Sequence, residues 1–165
     1  MHDRERGPTT TDLSVEALTK AAGGRGATPT DLDLILVATM TPEMPTPGVA
    51  PVGGGASEEC GNVGAMDVNA ACSGFVFTLN LAQELVRAGR YRCVGVIGAD
   101  TITRHIDYST YGRGAAILFG DLAGRRWSSA SDDASKGLIA EAMHSDGDGA
   151  SNTCSSRACS ATSRR

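Results

Sequence analysis

The sequence predicts an α/β fold. Two apolar runs of strand length, Leu34 to Ala38 in "DLDLILVAT" and the core of "RCVGVIGAD", are continuous rather than alternating, as in strands buried on both faces of a parallel sheet. Between them "VFTLNLAQELVRAG" has helical spacing. Strands alternating with helices along a chain make the class α/β. The 165 residues suit one domain, and 41% hydrophobic content is enough for a core. With only 4% aromatics, that core must be built from Val, Ile, Leu and Ala.

The elements follow in order. A helix is predicted from about Asp12 to Ala22, with Leu13, Ala17, Leu18 and Ala21 on one face, threonines before it and Gly23-Gly24 ending it. The strand Leu34 to Ala38 comes next. "TPEMPTPG" reads as a loop because three prolines in a short space exclude regular structure. A helix is expected from Val49, yet "APVGGGASEECG" is a poor helix former, since each glycine costs about 1 kcal/mol relative to alanine. "GAMDVNA" reads as a strand. A helix from about Ser73 to Ala88 follows, with Phe75, Leu79, Ala82 and Val86 as its apolar stripe and Gly89 at its C-terminal end. "RCVGVIGAD" and "GAAILFGD" read as two further strands, joined by a polar loop with His105, Asp107 and Tyr108. After Gly124 the character changes. "RRWSSASDDASKG" lies where an apolar strand is expected, "LIAEAMHSDG" recovers a strand-like pattern, and "ASNTCSSRACSATSRR" reads as disordered.

The charge of −4 argues against a nucleic-acid surface, and no apolar stretch approaches the ~20 residues of a membrane span. The N-terminal "MHDRERGPTT" has no apolar segment behind its charges, so it does not read as a signal peptide and the expected compartment is the cytoplasm. The five cysteines include no C-x-x-C pair and the three histidines supply no zinc spacing, so free thiols and no metal are expected. "DGDG" lacks the glutamate that would close a calcium loop, and "GGG" lacks the G-K-[ST] of a phosphate loop.

Cys72 lies in "MDVNAACSGF", where a strand turns into a helix. The partial positive charge and unpaired N–H groups of a helix N-terminus stabilise a thiolate. Ala70, Ala71 and Gly74 leave room for a thioester and for N–H groups to approach a developing oxyanion. The chemistry suggested is acyl transfer through a covalent thioester. The alternative is a small core residue tightening a strand–helix corner.

"DLDLILVATMTPEMPTPG", "GAMDVNAACSGFVFTLNLAQELVRAGRYRCVGVIGAD" and "GRGAAILFGDLAG" together resemble 3-oxoacyl-acyl-carrier-protein synthase III, of the thiolase superfamily, from about Arg4 to Gly124 with a further short piece near "HSDG". The resemblance implies one incomplete half of a thiolase-like fold, with helices layered on a mixed, mainly parallel sheet. The implied plan is a partial half over 1–124, a degraded continuation over 125–149 and a disordered tail over 150–165. The implied activity is acyl transfer in fatty-acid or polyketide synthesis. Cys72 would take an acyl group from acyl-coenzyme A, as substrate rather than cofactor, for decarboxylative condensation with malonyl-acyl-carrier protein. By the same resemblance the Cys72 N–H forms part of the oxyanion hole and Arg113 contacts the nucleotide part of coenzyme A. Thr46 would enter the acyl pocket of a partner subunit in a homodimer, formed by pairing of the strand before the cysteine with its copy.

The sequence also departs from the family. The histidine and asparagine that stabilise the enolate of condensation have no counterpart, and His105 and His144 lie in other contexts. The family's first strand, central in its sheet, is not represented. Its loss is expected to leave backbone groups of two inner strands unpaired, at about 1–3 kcal/mol each if buried. Leu122 replaces a glycine of the family's "GDGAG" pattern. Such breaks between good matches are what local shifts of reading frame would leave. The reading that competes with an impaired acyltransferase is therefore a non-catalytic fragment, a dimerisation partner or a pseudogene product.

Overall fold

The computed structural model describes residues 7–20, 28–56, 60, 63–131 and 137–147. Gly23-Gly24 and the expected tail from 150 onward lie outside them. Among the described residues the sheet is four-stranded, formed by β1 (Leu34–Ala38), β2 (Gly64–Val68), β3 (Cys93–Asp100) and β4 (Leu122–Ser129) in the order β2-β1-β3-β4. β1 is parallel to both β2 and β3, and β4 runs antiparallel to β3. This is the mixed, mainly parallel sheet that the sequence implies.

The helices α1 (Thr10–Thr19) and α2 (Val49–Ala56) cover one face, and α3 (Gly74–Arg87) covers the other. Side chains alternate across the strands as the period of two requires. Ile35, Val37, Cys93, Ile97 and Ala99 face α1 and α2, with Leu18, Val49 and Ala50. Leu34, Leu36, Val94 and Val96 face α3 and meet its stripe of Phe75, Leu79, Ala82 and Val86.

β1 and β3 pair directly, from Leu34 opposite Val94 to Ala38 opposite Gly98. The expectation of two unpaired inner strands is therefore corrected. Both segments are apolar and buried, so each must find a ladder partner, and in this chain each finds the other. The carboxylate of Asp33 sets the edge of this seam by accepting the N–H groups of Arg92 and Cys93 at 2.6 and 3.0 Å.

Further expectations are corrected. The segment from Val49, read as a poor helix former, is helical to Ala56. The Asp67 carboxylate on β2 accepts the N–H groups of Val49 and Ala50, both at 2.7 Å, and so caps the helix from outside. Gly53 and Gly54 lie close to Val15 and Ile35, so tertiary packing offsets their low propensity. The buried face of α1 is Thr10, Thr11, Ser14 and Leu18, while Leu13 and Ala17 are only half-buried. Thr10 belongs to a buried hydroxyl cluster with Thr41 and Thr101, and Thr9 caps the helix in a capping box with Asp12.

The segment read as strand "GAAILFGD" instead begins with a short helix, α4 (Arg113–Ala116), followed by a turn that leaves Ile117 and Leu118 exposed. The fourth strand comes later, and "RRWSS" lies within it, running across Gly124. Pairing decides this: β3 offers one free edge, and Leu122 to Ser129 fills it opposite Asp100 to Cys93. The strand-like "LIAEAMHSDG" forms no strand, and Ile139 is wholly exposed.

Candidate functional site

In an open α/β sheet the loops at the carboxyl ends of the strands carry function. Three such loops leave the same edge here. The segment after β1 carries Thr46, the turn after β2 carries Cys72, and the connection from β3 to β4 carries Arg113. The structure thus brings the three residues to one edge of the sheet on separate segments, and no hydrogen bond joins them among the described residues.

Cys72 is exposed and sits in the 3-10 turn Ala71–Ser73, which leads directly into α3. The turn is sharp. Ala71 adopts φ 47°, a left-handed conformation that a residue with a Cβ rarely takes. Asn69 Oδ1 accepts the Ala71 N–H at 3.2 Å, and Ser73 N–H donates to the Ala70 carbonyl at 3.2 Å. Strain held by surrounding bonds is common where a side chain must be presented. Gly74 begins α3 against the end of β1, where an added Cβ would lie 3.5 Å from that of Ala38. Among the described residues no side-chain bond caps α3 at Ser73, the residue after Cys72.

Arg113 is the exposed first residue of α4. Thr46 is exposed near the tip of the loop between β1 and α2. The other described cysteines differ from Cys72. Cys60 and Cys93 are buried, and burial raises the Cys93 thiol above its ordinary range, with Asp33 and Asp31 adding to the effect. Among the described residues no group of three or more His, Cys, Asp or Glu side chains could hold a metal ion, and no helix is long and apolar enough to cross a membrane.

Sequence reasoning missed the carboxylates that organise this edge. Asp100, at the end of β3, accepts bonds from Thr39 Oγ1, Met40 N–H and Thr41 Oγ1 at 3.1, 2.9 and 3.1 Å. Glu43 accepts the N–H and hydroxyl of Thr11 at 2.7 and 3.0 Å. Burial acts to raise the Glu43 carboxyl, but the bonds from Thr11, from its own backbone N–H and from Thr9 together outweigh it and hold the group below its usual range. The available signal was a lone aspartate at each of two strand positions, in "AMDV" and "IGAD", where a charge needs donors.

Comparison with known proteins completes the description. The family model described as 3-Oxoacyl-[acyl-carrier-protein (ACP)] synthase III matches residues 66–147. A beta-ketoacyl-[acyl-carrier-protein] synthase III of Xylella fastidiosa is 42% identical over 148 residues, which cover 88% of this chain and 44% of that relative. The crystal structure of 3-oxoacyl-[acyl-carrier-protein] synthase III from Aquifex aeolicus is similar with TM-score 0.71 and 34% identity, covering 77% of this chain and 40% of that one. A priming beta-ketosynthase of a polyketide biosynthetic pathway is similar with TM-score 0.69 and 33% identity, covering 76% and 36%. The chain therefore spans less than half the length of the relatives it matches.

Proposed function

The chain belongs to the 3-oxoacyl-[acyl-carrier-protein] synthase III family, and from that premise we propose that Cys72 is a nucleophile accepting an acyl group from an acyl-coenzyme A thioester. The observation that carries the proposal is the exposed thiol on a strained turn at the N-terminus of α3. The Cys72 sulfur attacks the thioester carbonyl, a new C–S bond forms, and the bond to the coenzyme A sulfur breaks. The thiol proton leaves with coenzyme A. The carbonyl oxygen, anionic in the tetrahedral intermediate, is met by the backbone N–H of Cys72 and the dipole of α3. Arg113 binds phosphate of the departing nucleotide through its planar fork of donors. Thr46 borders the acyl group, in a partner copy if the chain pairs through β2.

The acyl-cysteine then awaits malonyl-acyl-carrier protein. Loss of carbon dioxide leaves a carbanion that attacks the acyl carbonyl and releases the Cys72 thiolate. The histidine and asparagine that the resemblance assigns to this step have no recognised counterpart in the sequence, and such groups each supply about 10²–10⁴ in rate. The proposal is therefore self-acylation, with condensation by this chain alone near background.

Radiolabelled acetyl-coenzyme A tests it. Label should appear on the Cys72 peptide of the purified chain and be absent from Cys72→Ala. Label spread over other residues, or none above the Cys72→Ala control, would leave Cys72 without the proposed role. Robust 3-oxoacyl product would overturn the restriction to self-acylation.

A further inference from the structure

We infer that Glu43, Asp67 and Asp100 are positioning residues that clamp the segment from Thr39 to Gly48 into a fixed arm. Its tip, Met44 to Pro47, then projects from the body in one orientation. The consequence for acyl choice rests on the proposed role of Thr46, while the clamp rests on geometry alone.

The three carboxylates come from different places and act at different points. Asp100, on β3, takes three bonds from Thr39, Met40 and Thr41 and fixes the start of the arm. Glu43 lies within the arm and fastens its side to Thr11 at the start of α1 through two bonds. Asp67, on β2, fixes the end by holding Val49 and Ala50. Bonds from N–H to an ionised carboxylate are about twice as strong as neutral ones, which suits anchors on a connection that otherwise keeps many conformations.

The end anchor is built tightly. A Cβ on Gly48 would lie 2.5 Å from Asp67 Oδ2, so only glycine leaves the carboxylate its place. Thr41 and Val49, which flank the arm's free part, are buried, whereas Met44, Pro45, Thr46 and Pro47 are exposed. Prolines at 42, 45 and 47 further restrict the backbone. The anchors therefore stop on both sides of a short exposed tip that buries little against its own chain. A connection needed only to join β1 to α2 gains nothing from holding such a tip still. Holding it costs nothing further when a bound acyl group must meet it, which is how preorganisation serves recognition.

Amide hydrogen exchange on the full chain tests the clamp without requiring activity. Glu43→Ala should raise exchange between residues 40 and 50 by about tenfold while β1 and β3 amides keep their rates. Glu43→Gln, whose Oε1 can still accept the Thr11 N–H, should restore much of the protection. Asp67→Asn, which keeps one acceptor, serves as a second variant should Asp67→Ala fail to fold. In the same samples the ratio of hexanoyl to acetyl groups loaded on Cys72 should change with Glu43→Ala and return towards the parent value with Glu43→Gln. Equal exchange in the arm before and after the change, or a rise shared with β1 and β3, would overturn the inference. So would a mobile arm with an unchanged loading ratio where Thr46→Phe does change it. A chain that loads no acyl group refutes the proposed function instead, and exchange then decides the clamp by itself.

Discussion

At the scale of single residues, the cysteines are separated by their surroundings rather than by their chemistry. Cys72 is exposed on a turn. Cys93 is buried, and burial together with Asp33 and Asp31 holds its thiol protonated to higher pH. Only a thiolate reacts quickly with an alkylating agent. Iodoacetamide at neutral pH should therefore modify Cys72 at least about tenfold faster than Cys93. Peptide mapping at short times checks this, and faster loss of Cys93 would show that the turn is not formed as described. Glu43 gives a second prediction. Its folded carboxyl lies below the ordinary range because burial, which raises it, is outweighed by the combined bonds from Thr11, its own backbone N–H and Thr9. A group depressed on folding adds stability that is fully present above its unfolded pKa and lost as pH falls through its folded pKa. Glu43→Gln should therefore be less stable than the parent at neutral pH, with the gap closing in the acid range. Parallel stability curves for the two chains would mean that Glu43 has no such linkage.

At the scale of elements, legibility followed the source of each element's stability. β1, α3 and β3 carry their own signal, because continuous apolar runs and an apolar stripe arise from burial that the residues themselves dictate. α2 does not, because its stability comes from the Asp67 cap and from close approach to α1 and β1. The buried face of α1 was missed for a related reason: Thr10 and Ser14 are buried through hydroxyl bonds to Thr41, Thr101 and the Thr10 carbonyl, which no hydrophobic period reveals. β4 was misplaced because the most apolar nearby run, "AAILF", turns away while the polar "RRWSS" supplies the ladder. Of the site, the placement of Cys72 at a strand–helix turn was legible, whereas its anchoring carboxylates were not, since their donors lie far away in the chain. The glycines of α2 offer a quantitative test. A Cβ on Gly53 would meet Val15 Cγ2 at 3.4 Å, an ordinary contact. Gly53→Ala should then stabilise the chain by about 0.5–1 kcal/mol. Gly48→Ala should instead cost about 1–3 kcal/mol, because its Cβ displaces the Asp67 carboxylate from two N–H groups. Denaturant midpoints of the two variants should move in opposite directions, and movement in the same direction would contradict the packing around α2.

At the scale of the whole molecule, the sheet is closed in its middle and open at its borders. Direct pairing of β1 with β3 satisfies the inner strands, and helices cover both faces, so one cooperative unit is expected. Among the described residues β2 and β4 form the borders, and each pairs with a single neighbour. Beside β4 the turn after α4 exposes Ile117 at 87% and Leu118 at 73%, and Leu122, the first residue of β4, is 75% exposed. These two features lead to different kinds of association. An open strand edge can pair with its copy in one register, which yields a discrete species. An exposed apolar turn has no fixed register and draws chains together without closure. The parent chain should therefore be polydisperse, its mean mass rising with concentration and salt. Ile117→Lys combined with Leu118→Lys places charge on the turn without touching the core, and should leave the unfolding midpoint within about 0.5 kcal/mol of the parent. Light scattering should then resolve a single species, a dimer if β2 pairs with its copy. Met66→Lys, on β2, leaves the apolar turn intact and should not by itself remove the polydispersity. A parent chain already sharp at high concentration, or a double variant that remains polydisperse, would show that the turn does not drive association and would return attention to the strand edges.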